Sequence, residues 1–134
     1  MMKRFIIKGP NKAVKGEVNI SGAKNSCLPL MAASILFKNK VILKNVAFVK
    51  DVHTMKDLLV SLGAKVDFSI SKKMMTISNR AIHKLTVPYN LVSTMRAGVL
   101  TMGPLLARYP QKKIKVALGG GCALGVRDTN WHLA

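Results

Sequence analysis

The sequence predicts an α/β (α+β) chain of repeated strand–helix units, one complete βαβαββ unit and part of a second. Three observations carry this. Short β-prone runs alternate with two long segments of helical periodicity. A pair of strand-like runs, KVDFSI and KMMTIS, follows the second helix with only a polar turn between them. A further strand–helix–strand succession then starts and stops short of completion. At 134 residues the chain is the size of one ordinary domain, and 49% hydrophobic residues are enough for a core.

In order, FIIK at residues 5–8 and EVNI at 17–20 read as short strands. After Ser21-Gly22, Leu28, Met31, Ala32 and Ile35 fall at helical spacing. Pro29 is tolerated only in a first turn, so the helix is expected to begin near Asn25 or Ser26, with Lys24 and Asn25 at its mouth. VILKNV, 41–46, is a strand. Asp51 is placed to cap a helix whose Val52, Met55, Leu58, Leu59 and Leu62 share one face, and Gly63 stops it. KVDFSI and KMMTIS follow, joined through Ser71-Lys72-Lys73.

The second unit opens with the strand LTVP. Residues 90–102 read as one helix with Leu91, Met95, Val99 and Met102 on a face, broken by Gly103-Pro104. LLAR gives a short extra turn, KIKVAL a strand, and RDTNWHLA the start of a helix with Asp128 at its N-terminus.

Charge raises the question of partners. Twenty-two Lys and Arg against five acids give a net +17, which favours an anionic partner. The basic residues are spread out, with no run longer than a pair, and aromatics are 5% of the chain. No stacking platform for bases is visible, so a solvated basic surface is the plainer reading and a nucleic-acid-binding module the alternative. No apolar run approaches the ~20 residues of a membrane span, and the apolar part of MMKRFIIKGPNK is too short for a signal peptide, so the chain is expected to be cytoplasmic. Cys27 and Cys122 form no CxxC, and His53, His83 and His132 are scattered. No metal is expected, and both thiols are expected reduced.

Three places carry chemistry. In GGGCALGVR, residues 119–127, glycines let backbone N–H groups approach an anion, and Arg127 stands near Cys122, which would lower a thiol pKa. A glycine-rich loop with an incidental thiol fits the same residues. In SGAKN, Lys24 at a helix mouth can fix a phosphate or carboxylate, or be an ordinary exposed lysine. Arg96 lies in an otherwise apolar helix and either snorkels to solvent or points into a polar cleft. Cys27 packs as a small hydrophobe.

SGAKN…LP, PYNLVSTMRAGVLTMGPLLAR and GGGCALGVR, in this order and at these separations, closely resemble the N-terminal part of the bacterial UDP-N-acetylglucosamine enolpyruvyl transferase family. The likeness runs from FIIKGP to His132. It implies the inside-out α/β barrel of that family. It also implies transfer of the enolpyruvyl group of phosphoenolpyruvate to the 3-hydroxyl of UDP-N-acetylglucosamine with loss of phosphate, the first committed step of peptidoglycan synthesis, without a cofactor. By motif, Cys122 is the catalytic thiol that protonates the phosphoenolpyruvate methylene and is alkylated by fosfomycin. Lys24, Asn25 and Arg127 match phosphoenolpyruvate-binding positions. Asn25, Arg96 and the segment Arg127, Asp128, Thr129, Asn130 and Trp131 match positions that contact the nucleotide sugar. Asp128, Thr129 and Asn130 depart from the family's Pro, apolar, Asp pattern, and Asp128 adds negative charge beside a diphosphate site.

Members of that family are several-fold longer. The resemblance makes residues 22–134 an incomplete first domain and residues 1–21 a segment that packs with a second domain not present here. It implies a truncated chain, inactive alone, or one completed by a complementary chain, with a non-functional remnant as the alternative.

Overall fold

The computed structural model describes residues 5–9, 13–93 and 95–116, with the backbone of 117 and of 128–131. Six strands and four α-helices form among them. They are α1 (Lys24–Ala33), β1 (Lys40–Lys44), α2 (Lys50–Leu62), β2 (Lys65–Ser69), β3 (Met74–Ser78), β4 (Thr86–Val87), α3 (Tyr89–Val92), α4 (Met102–Arg108), β5 (Ile114–Ala117) and β6 (Asp128–Trp131). Two 3-10 segments, Ser34–Leu36 and Arg96–Thr101, join them.

The strands make two three-stranded sheets, ordered β1-β3-β2 and β4-β5-β6. In the first, β3 lies antiparallel between β1 and β2, with Val41↔Ile77 and Val66↔Ile77 in register. The β2–β3 connection turns at Lys73, whose φ of 48° is the left-handed conformation a tight turn requires. In the second, β4 runs parallel to β5 and β6 antiparallel to it.

The periodicity of α2 is realised in full. Val52, Met55, Leu58, Leu59 and Leu62 are all buried, and Gly63 ends the helix at φ 106°. A side chain at Gly63 would meet the Ala81 carbonyl and the His83 ring, so glycine is required there twice over. Met31, Ile35, Met75, Ile77, Leu105 and Ile114 complete one continuous core that spans both sheets.

Other expectations are corrected. Residues 5–8 and 17–20 form no strand: they are exposed, and no described strand pairs with them. The first unit is thus αβαββ. α1 starts at Lys24, not Asn25 or Ser26, so Pro29 lies in its second turn and removes the bond to the Asn25 carbonyl. Asp51 is not a cap; Val49 precedes the helix, and Asp51 sits in its first turn.

The single helix expected over 90–102 is broken. α3 ends at Val92, Met95 is extended (φ −133°, ψ 109°), and a 3-10 segment follows. Val92, Met95, Gly98 and Thr101 are buried at intervals of three, while Val99 is exposed. Gly98 lies so close to the Val92 side chain that no side chain of its own fits. Gly103-Pro104 lies within the first turn of α4, where a missing N–H costs nothing, so the pair begins a helix instead of ending one. The helix expected from Arg127 onward is overturned at residues 128–131, while 127 and 132–134 lie outside the described residues. Asp128–Trp131 is a strand, with Ile114↔Trp131 and Ala117↔Asp128 in register, because β5 offers an open edge to β-favouring Thr129 and Trp131.

Arg108 ties the two halves together. Its Nη1 donates to the Ile35 carbonyl at 2.6 Å, and its Nη2 to the Asn79 carbonyl at 2.9 Å. Asn79 is wholly buried and donates through Nδ2 to the Ser34 carbonyl at 2.6 Å.

Candidate functional site

The mouths of α1 and α2 meet. Lys24, first residue of α1, places Nζ 2.9 Å from Oδ2 of Asp51 in the first turn of α2. No side chain caps either helix. The first turns of both helices, each without a side-chain cap, therefore lie within reach of the Lys24–Asp51 pair. Asn25, second residue of α1, is exposed at the same mouth.

The chain enters this mouth through a fixed corner. Asn45 adopts φ 54° and accepts from the Gly22 N–H through Oδ1 at 3.1 Å; its Nδ2 reaches the Ile20 carbonyl at 3.5 Å. A Cβ on Gly22 would overlap the Asn45 carbonyl oxygen, so only glycine passes here.

Arg96 begins the 3-10 segment Arg96–Thr101, which packs against α1 and α2. Its side chain is exposed. Sequence reasoning placed it on a long helix; the structure places it at the start of a 3-10 segment. Asp128, Thr129, Asn130 and Trp131 lie on β6, and their side chains are outside the described residues, as are Cys122 and Arg127 entirely.

Cys27 is 7% exposed, and burial pushes its thiol above the ordinary value of 9.0. It is a packed sulfur, as its helical position implied, and is suppressed as a nucleophile. It lines a concavity of about 310 Å³ between α1 and β1, with Leu30, Ile42 and Leu43. A second concavity, about 510 Å³, is lined by Lys38, Asn39, Arg80 and Arg108. The donors of Arg108 there are spent on backbone carbonyls.

Asp51 and Asn45 were missed by sequence reasoning as parts of this site. Asp51 is one of only five acids in a chain of net charge +17, which was a signal that it serves a specific cation. Nothing in the sequence marked Asn45 for a left-handed corner beyond the tolerance of Asn for that conformation.

Residues 8–133 match the EPSP synthase (3-phosphoshikimate 1-carboxyvinyltransferase) family. The chain belongs to that family of enolpyruvyl transferases. Within it, the chain is 45% identical over 132 residues to the UDP-N-acetylglucosamine 1-carboxyvinyltransferase of Gluconobacter oxydans, covering 98% of this chain and 30% of that protein. It is 46% identical over 135 residues to the protein of the same name from Rickettsia bellii, covering 99% of this chain and 31% of the relative. The enolpyruvyl transferase NikO from Streptomyces tendae shares the fold at a TM-score of 0.68 and 18% identity, over 80% of this chain and 24% of that one. The chain thus spans about a third of the length of these enolpyruvyl transferases. Among the described residues, no helix is long and apolar enough to cross a membrane.

Proposed function

We propose that this chain supplies part of a site that transfers the enolpyruvyl group of phosphoenolpyruvate to the 3-hydroxyl of UDP-N-acetylglucosamine. The C–O bond from the phosphoenolpyruvate C2 to phosphate breaks, the bond from C2 to the sugar oxygen forms, and phosphate leaves. The observation that carries this is the Lys24 ammonium, which reaches from the uncapped first turn of one helix to that of another. That arrangement suits a dianionic phosphate. The relatives' name agrees with it.

In this reading Lys24, Asn25 and Arg127 hold phosphoenolpyruvate. Asn25, Arg96, Arg127, Asp128, Thr129, Asn130 and Trp131 contact the nucleotide sugar. Cys122 delivers the proton to the methylene carbon. Asp51 holds Lys24 in place until phosphate arrives. Residues 22–134 form an incomplete first domain built on the family's repeated βαβαββ unit and inside-out barrel, and residues 1–21 are a segment for the second. The chain is inactive alone and gains activity only with a complementary chain.

A phosphate-release assay with both substrates tests this. The expected result is no turnover by the purified chain, turnover on adding the remaining two-thirds of a relative, and slower alkylation of Cys122 when both substrates are present. Turnover by the chain alone overturns its inactivity. Substrates that leave Cys122 alkylation unchanged in the reconstituted pair overturn the site assignment.

A further inference from the structure

We propose that the face where the helical rod from Lys24 to Leu36 runs out rests on an anionic lipid surface. Leu36 and Phe37 enter the headgroup layer there, and Lys38, Arg80 and Arg108 meet its phosphates.

The apolar half of this face is a pair of neighbours. Along the rod, Cys27, Leu28, Met31, Ala32 and Ile35 are buried. Leu36 and Phe37 follow directly and stand 48% and 57% exposed. Scattered exposed apolar residues are ordinary on a protein surface. What sets this pair apart is the charge around it.

Hydrogen bonds to the backbone fix that charge in place. Arg108 Nη1 donates to the carbonyls of Ile35 at 2.6 Å and Phe37 at 3.5 Å, and Nη2 to that of Asn79 at 2.9 Å. The segments around residues 37, 79 and 108 therefore meet. Lys38, Asn39, Arg80 and Arg108 line the concavity of about 510 Å³ between them. Lys40 and Lys65 are both in register with Ser78, so they stand at the same end of the first sheet. Among the described residues, none of these five cations pairs with a carboxylate.

An anionic bilayer is the occupant that answers both halves, because binding at its surface adds buried apolar area to attraction by lipid phosphates. Nucleic acid would answer the charge and leave Leu36 unexplained, since a stacking site needs aromatic faces. A folded protein layer over this face would have to bury several unpaired cations, which is costly. Lys24 lies at the other end of the same rod, about 20 Å away by the rise per residue, so this face and the phosphate-holding mouth are separate.

Cosedimentation of the full chain with vesicles tests this. The chain is expected to pellet with mixed phosphatidylglycerol–phosphatidylcholine vesicles and to stay in solution with phosphatidylcholine alone. Lys38→Glu with Arg80→Glu is expected to weaken binding about tenfold or more, against no more than about threefold for Lys15→Glu with Lys72→Glu, which changes the net charge equally elsewhere. Phe37→Ser is expected to weaken vesicle binding about fivefold and to leave binding of a short DNA duplex unchanged. Failure to pellet with the mixed vesicles overturns the proposal. So do equal losses from the two charge-reversed pairs, which would mean that net charge alone is read; that comparison stands even if the Phe37 variant does not fold. Vesicle binding indifferent to Phe37, or an equal loss on DNA, also overturns it.

Discussion

Lys24 Nζ lies 2.9 Å from Asp51 Oδ2, and this contact joins the first turns of two helices that enter the molecule side by side. With the Lys24 and Asp51 side chains 47% and 36% exposed, water screens the pair, and it contributes little to folding. Its weight falls on the electrostatics of the mouth: a carboxylate occupies the lysine that an incoming phosphate needs.

Asp51→Asn is therefore expected to cost only about 0.2–1 kcal/mol of stability in urea unfolding. It is expected to tighten binding of inorganic phosphate about fivefold, since one unit charge near 4 Å in water is worth roughly 1 kcal/mol. Phosphorus NMR titration reads the second effect. Lys24→Ala should abolish it, and equal affinity in both variants would remove Lys24 from the anion site.

Arg108→Ala is expected to destabilise by about 2–3 kcal/mol, because it strips charged donors from the carbonyls of Ile35 and Asn79. Arg108→Lys should recover only part of this, since one ammonium cannot reproduce a fork that reaches several carbonyls. Denaturant midpoints of the three proteins give the comparison. A full rescue by lysine would mean that charge, and not geometry, is what the position needs.

Gly22→Ala is expected to cost about 1–3 kcal/mol, as an added methyl must displace the Asn45 carbonyl. Gly103→Ala is the control, because a side chain there meets nothing. Similar melting temperatures for the two variants would show that the corner at Asn45 yields freely.

Burial raises the Cys27 pKa above 9.0, so the thiol form is favoured in the folded state. Stability from this group is complete below the ordinary value and is lost as pH rises through the folded one. In a Cys122→Ser background, iodoacetamide is expected to modify Cys27 far more slowly in the folded chain than in urea at neutral pH. A stability scan on the same variant, compared with Cys27→Ala, should fall more steeply above about pH 9. Equal alkylation rates folded and unfolded would contradict the burial.

What the sequence shows well is what depends on local pattern. The face of α2, the stop at Gly63 and the β2–β3 hairpin are each written in neighbouring residues, and each forms as read. The failures share a different cause. Asp128–Trp131 is a strand because β5 presents an edge, a fact about residues far from it in sequence. The helix over 90–102 breaks at Met95, and its second part winds as a 3-10 segment packed on α1 and α2, elements far from it in sequence. Residues 5–8 and 17–20 have strand composition, yet composition supplies no partner. At the site, a motif could mark Lys24, but its ion pair with Asp51 depends on two helices meeting, which no spacing of 27 positions announces.

The Arg108 clamp has a consequence for how the molecule is made. The carbonyls of Ile35 and Asn79 leave the ribosome long before the guanidinium that satisfies them. Until residue 108 emerges, those carbonyls lack the donor that satisfies them in the finished fold, so the first sheet and its helices gain this tie only once the second half is made.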